Sequence, residues 1–210
     1  MDSSFTHEAS LFDSQPVKSD IPIEDGSLCL WHPFLSPEQA DMLFTQLTKT
    51  LHWQQDTMAI AGKQVLIPRL QAWYGDAGSQ YSYSGIALEP LPWTAELLTI
   101  KNTLEAITQQ PFNSVLENYY RNGNDSVAWH QDNEPELGHN PVIASLSLGE
   151  TRQFQLRHLS GNYPTVKLNL PHNALLLMSG TTQQHWLHQI PKTKKVVGPR
   201  INLTFRFIKY

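Results

Sequence analysis

The chain has 210 residues, the length of a single domain. With 40% apolar and 16% charged residues, it has material for a core and too little charge to stay disordered. Lys+Arg 15 against Asp+Glu 19 gives a net charge of −4, which excludes a protein that coats nucleic acid by charge alone. The single cysteine, Cys29, excludes a disulfide framework and a cysteine-only zinc site.

The opening residues, MDSSFTHEAS, lack the basic start and apolar stretch of a secretory leader. No apolar run approaches the roughly 18 residues that a membrane span needs. The expectation is a soluble monomer with no membrane partner, cytoplasmic or, in a eukaryotic host, nuclear. The charge is unevenly spread: residues 1–30 hold six acids and one base, whereas from Thr151 to the end there are nine bases and no acid. Residues 1–27 are expected to be a flexible acidic arm, and 28–210 a single domain.

Ser36-Pro37-Glu38-Gln39 carries an N-cap, a proline at the first helical position and a glutamine placed for a capping box. Ala40, Leu43, Phe44, Leu47 and Leu51 continue at helical spacing. Pro92-Trp93-Thr94 precedes a second helix, with Leu97, Ile100, Leu104 and Ile107 on one face. Neither helix carries a His-rich or Gly-rich motif, so both are expected to buttress a sheet.

After Pro111 the period changes to two. Val142, Ala144, Leu146 and Leu148 alternate with Ile143, Ser145 and Ser147; Phe154 with Leu156, and Val166 with Leu168 and Leu170, repeat the pattern. Gly149-Glu150, Ser160-Gly161-Asn162 and Ser179-Gly180 punctuate the runs. Short strands with regular turns indicate an antiparallel sandwich or jelly roll.

His130-Gln131-Asp132 is His-x-Asp, and on a strand both side chains would face one way. Alone this is a weak signal. A second element, His185-Trp186-Leu187-His188, follows about 55 residues later. Two histidines and a carboxylate on adjacent strands make the triad that holds Fe(II) with open positions, although zinc also fits such a set. His185 and His188 are three apart, so an extended strand would point them oppositely; one is expected to be a ligand and the other structural.

The last strand places Ile201, Leu203, Phe205 and Phe207 on one face and Arg200, Asn202, Thr204 and Arg206 on the other. Six strand residues span about 20 Å. If each arginine reaches inward by roughly 6–7 Å, a gap of about 6–8 Å remains, the length of a small dicarboxylate. Arginine's planar fork suits a carboxylate. An edge strand facing solvent is the alternative for this segment alone. An open metal beside a dicarboxylate pocket implies 2-oxoglutarate.

Asn118-Tyr119-Tyr120-Arg121-Asn122, Asp125-Ser126, Trp129-His130-Gln131-Asp132 and Glu134-Pro135 together resemble the AlkB family of Fe(II)/2-oxoglutarate dioxygenases. So do Ile143–Gly149, His185–Pro191 and the closing Arg200-x-Asn202-x-Thr204-x-Arg206, in the same order, over about residues 60–208. The resemblance implies an α+β, mainly β fold. Its parts are a double-stranded β-helix (jelly-roll) core over about 112–210, N-terminal buttressing helices, and a nucleotide-recognition lid over about 56–90.

It further implies iron on His130, Asp132 and His188, and 2-oxoglutarate on Arg200 and Arg206 with Asn118, Tyr120 and Asn202, with O2 as co-substrate. Arg69, Tyr74, Tyr81, Tyr83, Trp129 and Glu134 would meet the substrate, Tyr81 and Tyr83 flanking a flipped base. The implied activity is oxidative demethylation of 1-methyladenine- and 3-methylcytosine-type lesions, a direct-reversal DNA repair that releases formaldehyde, succinate and CO2. Asn133 stands where several relatives have a second acid. Ile60-Ala61 stand where duplex-specialised relatives place an aromatic wedge, which leaves single- and double-stranded DNA and RNA open as partners. An oxygenase acting on RNA or protein, and a catalytically silent nucleic-acid-binding module, are the rival readings.

Overall fold

The computed structural model describes residues 16–60, 62–79, 81–83 and 86–209; the side chains of 60, 81–83 and 86–88 are outside that description. The chain opens on β1 (Lys18–Ile21) and β2 (Ser27–Trp31), followed by α1 (Pro37–Thr50). β1 therefore lies inside the segment read as an arm, paired antiparallel with β2 from Lys18↔Trp31 to Ile21↔Leu28. Two hairpins flank a longer strand: β3 (Thr57–Ile60) with β4 (Lys63–Leu66), then β5 (Leu70–Gly75), then β6 (Tyr81–Tyr83) with β7 (Ile86–Leu88). The two-residue β8 (Leu91–Pro92) leads into α2 (Ala95–Thr108). The remaining strands are β9 (Ser114–Tyr120), β10 (Val127–His130), β11 (Ile143–Gly149), β12 (Arg152–His158), β13 (Val166–Leu170), β14 (Ala174–Ser179), β15 (Trp186–Ile190) and β16 (Arg200–Arg206). One helical turn, α3 (Thr182–His185), precedes β15.

The capping box on α1 is formed: Gln39 N–H donates to Ser36 Oγ and Ser36 N–H to Gln39 Oε1. Such a cap contributes about 1 kcal/mol. Thr94 caps α2, and Gln109 closes it in the left-handed region.

The strands form a major sheet, ordered β1-β2-β14-β11-β16-β9-β5-β8, and a minor sheet, β10-β15-β12-β13. From β9 onward the chain winds between the two sheets, the connectivity of a double-stranded β-helix. Period-two patterning gives the major sheet two different faces. Ala144, Leu146, Leu148, Ile201, Leu203 and Phe205 pack with Ala40, Leu43 and Leu47 of α1 and Leu97, Ile100 and Leu104 of α2. The opposite face meets the minor sheet, where Ile143, Leu176, Met178, Phe154, Leu156 and Trp186 form a second core. The helices are thus buttresses, as expected. Phe207, read as part of the apolar face, lies past the end of β16 and is exposed.

Gly149 ends β11 at φ +87°, and a Cβ there would sit 2.5 Å from the Pro199 carbonyl. Only glycine allows that close approach, which sets the start of β16 and hence Arg200. Of the expected lid, β5 belongs to the major sheet, while the β3–β4 and β6–β7 hairpins form separate two-stranded sheets. No described helix is long and apolar enough to cross a membrane.

Candidate metal and co-substrate site

Pairing of β10 with β15 sets His130 opposite His188, with ring centroids 4.1 Å apart. One ligand atom from each of His130, Asp132 and His188 lies within 4.8 Å of the others. Asp132 is not on the strand, since β10 ends at His130. Gln183, buried at the start of α3, does the work that strand geometry was expected to do. Its side-chain oxygen accepts the Asp132 N–H at 3.0 Å, and its backbone carbonyl accepts Gln131 Nε2 at 3.0 Å. That pair of bonds turns the chain after His130 and brings the carboxylate back to the histidines.

His130 Nδ1 lies 2.9 Å from the Ala128 carbonyl. A carbonyl oxygen only accepts, so Nδ1 carries the proton and Nε2 presents its lone pair. That lone pair faces Asp132 Oδ1 at 3.7 Å. Two electron-pair donors facing each other with no proton between them is an arrangement that a cation resolves, and His130, Asp132 and His188 fit Fe(II) on that ground. Burial would raise the Asp132 carboxyl, but Arg206 and the two histidines outweigh it and hold it below the usual carboxylate range. Burial, then His130, pushes His188 down to about 3, so it stands neutral and able to ligate. Phe154 stacks on the His188 ring at 5.3 Å.

The inner face of the major sheet supplies a polar floor. Register places Asn118 beside Asn202, Tyr120 beside Arg200, and Ser147 beside Asn202. Arg200 is fully buried, not facing solvent as the edge-strand alternative would have it. It donates from one terminal nitrogen to Ser147 Oγ at 2.9 Å, while its Nε and other terminal nitrogen have no hydrogen-bond partner among the described residues. Burial pushes its pKa down to about 10, so the guanidinium stays charged at neutral pH. A buried cation with two unused donors is a receptor for a carboxylate.

Arg152, also buried, contrasts with it. Its guanidinium is taken up by the carbonyls of Asn122, Asp125 and Pro191. Tyr120 lies against both guanidinium groups, 5.2 Å from Arg200 and 5.5 Å from Arg152. Asn202 Nδ2 donates to Ser145 Oγ at 2.8 Å. Asn118 Oδ1 accepts from Arg69 Nε at 2.6 Å and Gln71 Nε2 at 3.0 Å.

One of the expected substrate contacts lies elsewhere. Tyr74 is buried in the core beneath the helices, where its hydroxyl accepts the His52 N–H. Its neighbours Gln71 and Trp73 take the interior face instead, because alternate strand residues point oppositely. Trp129 precedes His130 in an irregular part of β10, and the Arg157 guanidinium lies 4.6 Å over its ring. Arg69 is beside Asn118 and also donates to the Ser126 carbonyl. Glu134 is half-buried, just before the 3-10 turn Pro135–Leu137. Tyr81 and Tyr83 are on β6, and their expected side-chain roles fall outside the described residues, as does Ala61 of the wedge position. Gln183 and Gln71 carry no motif; Ser145 and Ser147 lie in the Ile143–Gly149 stretch, where they are the polar members of an otherwise apolar strand.

Residues 27–206 match the family model of the 2OG-Fe(II) oxygenase superfamily. Human alpha-ketoglutarate-dependent dioxygenase alkB homolog 3 is 44% identical over 196 residues, covering 89% of this chain and 68% of that protein. Bovine DNA oxidative demethylase ALKBH2 is 39% identical over 194 residues, 88% of this chain and 70% of that protein. The solved structure of OsALKBH1 superposes with a TM-score of 0.65 at 17% identity, over 90% of this chain and all of that one, which shows the shared fold.

Proposed function

This chain belongs to the 2OG-Fe(II) oxygenase superfamily and, within it, to the AlkB relatives, and from that premise we propose that it repairs alkylated DNA by oxidative demethylation. The carrying observation is the pairing of two features in one interior: lone-pair ligands converging at His130, Asp132 and His188, and the half-satisfied buried guanidinium of Arg200. When bound, iron and 2-oxoglutarate activate O2 and supply the oxidising power that turns an N-methyl group into formaldehyde.

The protein's own residues bind and orient. The Ala128 carbonyl fixes the His130 tautomer, and Gln183 sets the bend that presents Asp132. Arg200, with Tyr120 against its face, receives the far carboxylate of 2-oxoglutarate, and Asn118 and Asn202 line the floor beside it. Arg206, the second arginine for 2-oxoglutarate in this reading, also donates to Asp132 Oδ2 and neutralises it. Glu134, close after Asp132, favours bases that carry positive charge, as 1-methyladenine and 3-methylcytosine do, over neutral ones. Tyr81 and Tyr83 flank the flipped base, and Arg69 meets the substrate from the β5 side. The protein works as a monomer, in the cytoplasm or in a eukaryotic nucleus.

The test is turnover with Fe(II), ascorbate, 2-oxoglutarate and O2 on oligonucleotides carrying single lesions, with single-stranded DNA, duplex DNA and RNA as parallel arms. Succinate and repaired base should appear together, most with a DNA arm. Iron-loaded protein that yields neither would overturn the repair assignment, and preferential turnover of RNA would move the substrate.

A further inference from the structure

A second group of metal-type side chains converges among the described residues, away from the triad. Asp25 lies in the turn before β2, His158 ends β12 and His185 ends α3; one ligand atom from each is within 4.8 Å of the others. Their sequence separation makes the grouping a product of the fold. β12 pairs with β15 so that His158 faces Trp186, and Trp186 Nε1 donates to the Glu24 carbonyl at 2.8 Å. We propose that Asp25, His158 and His185 form a second, structural site for a divalent transition metal of the zinc type.

The His158 ring is buried and held on both edges. Its Nδ1 is 2.7 Å from Ser160 Oγ, which also accepts the Asn162 N–H at 3.2 Å. Its Nε2 is 3.3 Å from Asp25 Oδ2. The His185 ring lies parallel to it, 3° off, with centroids 5.7 Å apart. Nδ1 also accepts the Ser160 backbone N–H at 3.2 Å, while the buried Nε2 makes no hydrogen bond among the described residues and is aimed at Asp25. A proton satisfies Asp25 and His158 alone; a cation satisfies those two and His185 together. Ligand atoms about 2.0–2.1 Å from a tetrahedral zinc are about 3.3 Å from one another, the separation of His158 Nε2 and Asp25 Oδ2, and the His185 ligand atom lies within 4.8 Å of both. Two imidazoles and one carboxylate suit zinc better than calcium or magnesium. The Asp25 side chain is half exposed, so water can complete the set. The site joins the turn before β2 to the end of the minor sheet, a clamp between the first strands and the β-helix.

The experiment uses the full chain, stripped with chelator and titrated with Zn2+ by calorimetry. Wild type should take up two equivalents. In a His130→Ala/Asp132→Ala background one equivalent should remain, and its binding should raise the unfolding temperature. Adding Asp25→Ala or His185→Ala to that background should weaken the remaining site at least tenfold and abolish the thermal shift. Asp25 is exposed, so its variant folds, and alone it should leave demethylation intact. A wild type that binds one equivalent, or a second equivalent untouched by Asp25→Ala and His185→Ala, would overturn the proposal.

Discussion

Arg206 and His130 divide the two oxygens of Asp132 between them. The Arg206 guanidinium donates to Oδ2 at 2.9 Å and 3.3 Å, while Oδ1 faces His130 Nε2 at 3.7 Å. The arginine thus fixes the carboxylate's rotation and leaves one oxygen for a metal. Arg206→Lys keeps the charge and loses the fork, so Fe(II) affinity should fall about 10- to 100-fold, the range for outer-shell partners. Anaerobic Fe(II) titration checks this. Unchanged affinity would show that Arg206 does not orient Asp132.

Arg200→Met replaces a buried, half-satisfied guanidinium by an apolar side chain, a change that buried charges often tolerate in stability. The fold should survive and the KM for 2-oxoglutarate should rise at least tenfold. Thermal stabilisation by saturating 2-oxoglutarate, about 2.7 kcal/mol at 100 times Kd for the wild type, should largely vanish.

Glu117 is fully buried on the helix-facing side of β9, and neither carboxyl oxygen has a hydrogen-bond partner among the described residues. Burial pushes its pKa well above the usual carboxylate range. The folded state therefore keeps a proton that the unfolded state releases near pH 4.3–4.5. Stability from this group is complete below that pH and is lost as pH rises toward the folded value, at up to about 1.4 kcal/mol per pH unit. Glu117→Gln should stabilise the protein at pH 8 and do little at pH 4.5. Denaturation midpoints at the two pH values decide it, and an equal shift at both would refute the ionisation argument.

Gln183→Ala removes the acceptor for the Asp132 N–H, which is itself buried. The expected cost is about 1–3 kcal/mol of stability. Metal affinity should fall as well, because the bend after His130 loses its anchor. A stability loss with unchanged Fe(II) binding would confine Gln183 to a structural role.

The helices, the alternating strands and the His130/Asp132/His188 set were legible because each follows from local spacing or from a known resemblance. Ser36 to Gln39 announced α1, and alternation assigned both faces of β16. Side chains whose role depends on a distant partner were not legible. Gln183 looks like any polar residue until α3 folds against the turn after β10. Tyr74 sat in a suggestive motif, yet strand parity, set by register with β9, turned it to the helix-facing side. Asp25, His158 and His185 have no shared motif at all.

The ends of the major sheet have a consequence for handling this protein. One edge is β1, four residues long, with Lys18, Ser19 and Asp20 exposed and a Lys18–Asp20 ion pair at 3.8 Å. The other is β8, two residues ending in Pro92. Both are poor templates for another chain, because short, charged or proline-bearing edges discourage intermolecular pairing. Behind β1 lies Leu28-Cys29-Leu30-Trp31. A truncation that begins after β1 would uncover the hydrogen-bonding edge of that apolar strand, and the product should self-associate through it even with the catalytic interior intact.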